Sequence, residues 1–202
     1  MRGLRGAEVL LATGNAGKLA EFSALFAPYG TRLRSLRDLA LPEPDESEFS
    51  FVGNARLKAL AGAAASGLPT LADDSGLVVS GLGGGPGIYT ADWAERREGR
   101  DFVRAMTLTR DLLEAAGASQ PHRAAFCCTL VLAWPDRTVQ VFEGRLAGQI
   151  VWPMRGTLGH GYDPIFQPEG QDLTMGEMDQ ARKNAISHRS VAVTKLIHAC
   201  FT

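Results

Sequence analysis

Six short segments hold the residues whose types and spacing suit chemistry. In Thr13-Gly14-Asn15-Ala16-Gly17-Lys18 an apolar run breaks into a glycine-containing turn, and helical spacing then resumes. A P-loop needs four residues between its glycines and a Ser or Thr directly after the lysine. Here two residues separate Gly14 from Gly17, and Leu19 follows Lys18, so the segment is not a P-loop. Exposed backbone N–H groups and the helix dipole still favour an anion at such a turn. Thr13 and Asn15 add side-chain donors, and Lys18 adds a positive charge. An ordinary capped turn accounts for the same residues.

The acids come next. Asp73 and Asp74 follow an apolar run and precede Ser75-Gly76, which reads as two carboxylates at a strand end. Two such groups repel unless a cation or a proton separates them. Glu43, Asp45, Glu46 and Glu48 form a second acidic cluster on a proline-containing loop, where plain solvation is the simpler reading. One acid from each cluster would make a magnesium site, since hard cations that bind phosphate take carboxylate oxygens. Asn54 and Lys58 lie four apart and share one face of a helix, with solvent exposure as the default reading. Tyr162, Asp163 and Phe166 fall on one loop where an aromatic could stack a base, although Asp163-Pro164 alone makes a turn. Lys183, Ser187, His188 and Arg189 sit where the last helix begins. Ser187 suits an N-cap, and His188 and Arg189 supply hydrogen-bond donors for carbonyl or phosphate groups.

The elements that must position these groups follow from periodicity. Residues 8–13 read as a buried strand. Residues 16–28 read as a helix with Leu19, Phe22, Leu25 and Phe26 on its apolar stripe. Residues 31–36 alternate as a half-exposed strand, 41–48 form a loop, and 50–67 form a helix closed by Gly67. A glycine-rich loop follows the Asp73-Asp74 strand, and residues 101–117 make another helix. The runs 122–134 and 137–150, separated by Pro135-Asp136, read as an antiparallel pair. A loop with a short extended piece and a last amphipathic helix from about Ser187 to Phe201 complete the order. This is mixed α/β with antiparallel pairing, read as a single domain over residues 1–202 with no linker.

Totals exclude several classes. A net charge of −1 gives no electrostatic case for a nucleic-acid polymer or a membrane surface. No apolar run approaches the ~20 residues of a membrane span, and the N-terminal run reads as a first strand rather than a signal peptide. The adjacent Cys127 and Cys128, with distant Cys200, fit buried reduced thiols of a cytoplasmic protein rather than disulfides or zinc ligands. Only four of 21 basic residues are lysine, namely Lys18, Lys58, Lys183 and Lys195, and the first three fall in the segments above. A compact ammonium is wanted where the chain departs from its preference for arginine.

Six pieces in order carry a family resemblance: LATGNAGKLAEF, SFVGNARLKA, LADDSGLVV, LGGGPGIYTA, GHGYDPIF and KNAISHR. Together they cover nearly the whole chain, which resembles the Ham1-like inosine triphosphate pyrophosphatases. That resemblance implies an elongated mixed α/β fold with a central twisted mixed sheet and two lobes flanking a nucleotide cleft. It also implies a homodimer that hydrolyses ITP, dITP and XTP to monophosphate and pyrophosphate with Mg²⁺, clearing deaminated purines from nucleotide pools.

By motif, Thr13, Asn15 and Lys18 would hold the triphosphate, with Lys58, one turn from Asn54, reaching the phosphates. Glu46 and Asp74 would hold Mg²⁺, Asp74 would activate the water, and Asp73 would assist. Ser75 and Gly76 would lie along the phosphate chain. Phe166 or Tyr162, on the loop with Asp163, would flank the base, while Lys183, His188 and Arg189 would address it. The chain departs from the family pattern at Gly53, Thr90, Asp92 and His160. Two other readings stand beside the leading one: hydrolysis of other modified nucleotides, including pyrimidine ones, and a nucleotide sensor without turnover. Retention of Glu46 and Asp74 argues against the sensor.

Overall fold

The computed structural model describes residues 3–14 and 16–201. Its principal elements are β1 (Glu8–Leu11), α1 (Ala16–Phe26), β2 (Arg32–Ser35), α2 (Phe51–Ser66) and β3 (Thr70–Val79). They continue with β4 (Glu95–Arg96), β5 (Gly99–Arg100), α3 (Phe102–Ala115), β6 (His122–Ala133) and β7 (Val139–Ile150). Last come β8 (Phe166–Pro168), α4 (Gln180–Ile186) and α5 (His188–Phe201), with short 3₁₀ turns between elements. Six strands form one mixed sheet in the order β2-β1-β3-β6-β7-β8. β1 runs parallel to β2 and β3, whereas β7 and β8 are antiparallel. The β6–β7 hairpin closes through Trp134 N donating to Thr138 O at 2.9 Å, around the Pro135-Asp136 turn expected from sequence.

Two compact units make up the chain. The first comprises Met1–Asp74, Cys128–Glu143 and Ala192–Thr202, and the second Ser75–Cys127 and Gly144–Val191. Side-chain alternation along the strands gives the first unit two cores. Val9, Leu11 and Leu71 pack with Phe22 and Phe26 of α1 and with Leu196 and Phe201 of α5. Leu10, Ala12 and Ala72 pack with Ala55, Ala59 and Ala63 of α2. Small residues let α2 lie close to the strands: a Cβ at Gly62 would come within 2.7 Å of Thr70 Cγ2 and 3.1 Å of Leu10 Cδ2. Ser50 caps this helix by accepting from Gly53 N at 3.0 Å, and Gly67 closes it in the left-handed conformation, φ +69°. In the second unit Leu77, Val79, Met106, Phe126, Tyr162 and Phe166 share one core.

Several expectations need correction. Asp73 and Asp74 do not end a strand, because β3 runs on through both to Val79. Leu25 is 36% exposed, leaving Leu19, Phe22 and Phe26 as the inward stripe of α1. The short helix α4 was not anticipated; Asp179 caps it by accepting from Arg182 N at 2.8 Å. Cys127 is half-buried, whereas Cys128 and Cys200 are buried.

Candidate functional site

In the first unit the site begins on the inward face of α2. Asn54 and Lys58, one turn apart, are 2% and 4% exposed, so the solvent-facing default is wrong. The alanines beside them bring this stripe against β3, and a buried ammonium then needs an anion. Lys58 Nζ makes a short ion pair with Glu46 Oε1 on the acidic loop. Asn54 Nδ2 donates to Asp74 Oδ2 at 3.1 Å, and its Oδ1 accepts from Glu48 N at 3.0 Å. One helical turn therefore ties the acidic loop and the β3 carboxylate to a common support. Gly53 keeps that junction compact, since a Cβ there would lie 2.7 Å from Glu48 Cβ.

Asp73 belongs to the opposite face of β3. Consecutive strand residues alternate, so Asp74 lies on the Ala72 side with α2 and Asp73 on the Leu71 side with α1. Lys18 Nζ reaches Asp73 Oδ2 at 2.6 Å. This pairing explains how two adjacent acids sit inside one strand, 1% and 7% exposed, without a chain end between them. Thr13 is buried at the start of the turn, and Gly14 N donates to Glu43 Oε1 at 3.1 Å. Asn15 lies outside the described residues.

The second unit holds the other candidates. Ser75 is half-buried and Gly76 buried, both within β3. Lys183, on α4, is buried and pairs with Asp163 Oδ2 at 3.3 Å, and the same oxygen accepts from His160 N at 3.3 Å. Gly159 is required twice over. Its φ of +94° is strained for any side chain, and a Cβ would collide with both Asp163 Oδ2 and Lys183 Nζ. Ser187 caps α5 as expected, its Oγ accepting from Ser190 N at 3.0 Å. His188 stacks on Phe126 with centroids 5.2 Å apart and planes at 20°.

The expected base-flanking aromatics are corrected by burial. Tyr162 is 1% and Phe166 0% exposed, so neither offers a face to a ligand. Tyr162 donates its hydroxyl to Thr90 O at 3.2 Å and meets Phe102 edge-on, and burial pushes its phenol well above the usual range. Phe166 packs on Phe126 at 4.4 Å, one ring removed from His188. On this loop the exposed ring is His160, between Gly159 and Gly161, both at positive φ. From sequence, His160 stands between two glycines in place of the aromatic the family pattern carries there, a departure that bears on base stacking. Glu43 and Thr90 were missed as contacts. Thr90 Oγ1 accepts from Leu77 N at 2.8 Å, tying its loop to β3.

Among the described residues, no group of three or more His, Cys, Asp or Glu side chains is gathered as a metal cage. Glu46 and Asp74 nevertheless supply hard carboxylate oxygens. That donor set suits a divalent cation that completes its shell with phosphate oxygens and water.

Lys18, just past the turn that opens α1, and Lys58, on α2, are each held by a carboxylate, an arrangement suited to the class of proteins that handle phosphate. The sequence model of the Ham1 family matches residues 9–199, and the chain belongs to that family. It is 54% identical over 200 residues to the dITP/XTP pyrophosphatase of Ruegeria pomeroyi, covering 99% of this chain and 98% of that one. The solved structure of a HAM1 protein from Coxiella burnetii superposes with a TM-score of 0.90 at 33% identity, covering 96% and 98% of the two chains. A nucleoside-triphosphatase, dITP/XTP pyrophosphatase, from Mycobacterium abscessus superposes with a TM-score of 0.79 at 36% identity, covering 94% and 98%.

Proposed function

We propose that the chain hydrolyses the non-canonical purine nucleoside triphosphates dITP, XTP and ITP to monophosphate and pyrophosphate, sanitising the nucleotide pool. The reading rests most on one observation: the inward face of α2 presents Lys58 on Glu46 and Asn54 on Asp74. Lys18, Lys58, Thr13 and Asn15 bind the triphosphate, and Ser75 and Gly76 line its path. Glu46 and Asp74 would hold a divalent metal, Mg²⁺, which would supply charge neutralisation at the phosphates. Water attacks the α-phosphorus, Asp74 accepts its proton, and pyrophosphate leaves. Asn54 Nδ2 orients the Asp74 carboxylate for that transfer. Asp73 serves by orienting Lys18 rather than by taking the proton. The lysines stabilise the charge developing on the bridging oxygen.

Lys183, His188 and Arg189 address the base, with Asp163 holding Lys183. Hypoxanthine and xanthine carry a 6-oxo acceptor where adenine carries an amino donor, so adenine leaves such donors unpaired. Tyr162 and Phe166 act as packing supports, and His160 is the aromatic in reach of solvent. The working form is one domain of residues 1–202, a homodimer in the cytoplasm, acting on free nucleotides and not on a nucleic-acid polymer or a membrane. Among the described residues no helix is long and apolar enough to cross a membrane. A panel of dITP, XTP, ITP, ATP, GTP and modified pyrimidine triphosphates with Mg²⁺ tests this. Pyrophosphate release confined to dITP, XTP and ITP is expected; single-phosphate release or preference for a pyrimidine would defeat it.

A further inference from the structure

The loop that carries Glu46 touches the phosphate grip at a second point. Glu43 Oε1 accepts from Gly14 N, in the turn that opens α1, at 3.1 Å. The other carboxylate oxygen lies against the Gly14 Cα, so closely that a Cβ there would collide with it. A Cβ at residue 14 would push that carboxylate aside. Glu43 is exposed, and no ion pair accounts for its position among the described residues. A carboxylate on a backbone N–H of the turn ahead of a helix stands where a phosphate oxygen would bind, by the same electrostatics. Three residues on, Glu46 covers Lys58, the other phosphate donor that this loop reaches.

We propose that Glu43 is a specificity-determining residue, a resident anion that any phosphate ligand must displace from the Gly14 N–H. This rests on the assignment of the turn and Lys18 to the triphosphate. An internal carboxylate competes at an effective concentration no dilute ligand matches. Singly phosphorylated anions gain too little to remove it, whereas a triphosphate also gains Lys18 and Lys58. The carboxylate thus favours the long polyphosphate over the monophosphate and opposes retention of product.

Calorimetric titration with inorganic tripolyphosphate in metal-free buffer at physiological salt tests the proposal on the full chain. Glu43→Gln is expected to bind tripolyphosphate about two- to fivefold more tightly than the parent, the range typical of one charge at a helix start. Inorganic phosphate should gain more than tripolyphosphate does, and an equal gain by both ligands overturns the specificity claim. Asp45→Asn removes a charge from the same loop and should change affinity less than Glu43→Gln, because screening weakens a charge that makes no direct contact. Unchanged or weaker binding by Glu43→Gln overturns the proposal, and so does an equal gain in Asp45→Asn, which would mark a bulk charge effect. Lys18→Ala separates the two levels. Weakened binding there with no gain in Glu43→Gln defeats the Glu43 role alone. No loss in Lys18→Ala defeats the phosphate assignment, and the Glu43 role with it.

Discussion

The two units hold their candidate residues in different ways. In the first, charge is held by charge: Lys58 by Glu46, Lys18 by Asp73 at 2.6 Å. In the second, rings do most of the holding, with Phe126 between Phe166 and His188, and the one lysine pair is longer at 3.3 Å. Under the proposed function phosphates and a metal would compete directly for the groups in the first arrangement, so partners would exchange without repacking a core. Stacked rings make no such exchange. They fix the direction of donors, which is what discrimination between two bases of similar shape requires. The first unit accordingly suits charge transfer and release, and the second suits reading.

Substitutions can break this contrast, beginning with the largest effect. Asp74→Asn keeps shape and an acceptor for Asn54 but removes the proton acceptor. Turnover should fall about 10²- to 10⁴-fold, the usual worth of a general base, with nucleotide binding still measurable. Near-normal single-turnover rates would remove Asp74 from its role. Phe166→Ala should cost about 3–5 kcal/mol of folding stability, as for other buried phenylalanines. Thermal or urea unfolding reads that loss; a stable variant with altered base preference would restore Phe166 to the ligand. Arg189→Ala should erode the ITP-to-ATP ratio of kcat/KM by about tenfold, on the scale of one lost donor, while pyrophosphate remains the product. An unchanged ratio would locate base reading elsewhere. Smallest, Ser187→Ala should cost about 1 kcal/mol through loss of the α5 cap, and an unchanged unfolding midpoint would show that the cap contributes nothing.

The same contrast explains what the sequence could disclose. The lysines were legible because the chain otherwise uses arginine, and all three in the chemical segments meet a carboxylate. The Asn54–Lys58 face was legible as spacing, though not as burial, because an alanine-rich helix shows little contrast between its sides. Asp73-Asp74 read as a strand end because two charges in a strand interior are costly. Their separate partners on opposite faces are a tertiary fact. Tyr162 and Phe166 failed for a related reason: the residue type of a loop aromatic does not say whether it turns inward. Helix α4 spans seven residues, too few for an apolar period to stand out. The mixed α/β class and the Ham1 likeness followed from motifs in sequence, and the mixed sheet agrees.

The central claim is that water attacks the α-phosphorus. A single turnover of dITP with Mg²⁺ in ¹⁸O-water, with both products weighed by mass spectrometry, tests it most directly. The account predicts one ¹⁸O in the deoxynucleoside monophosphate and none in pyrophosphate. Label in pyrophosphate, or release of labelled single phosphate, would contradict it.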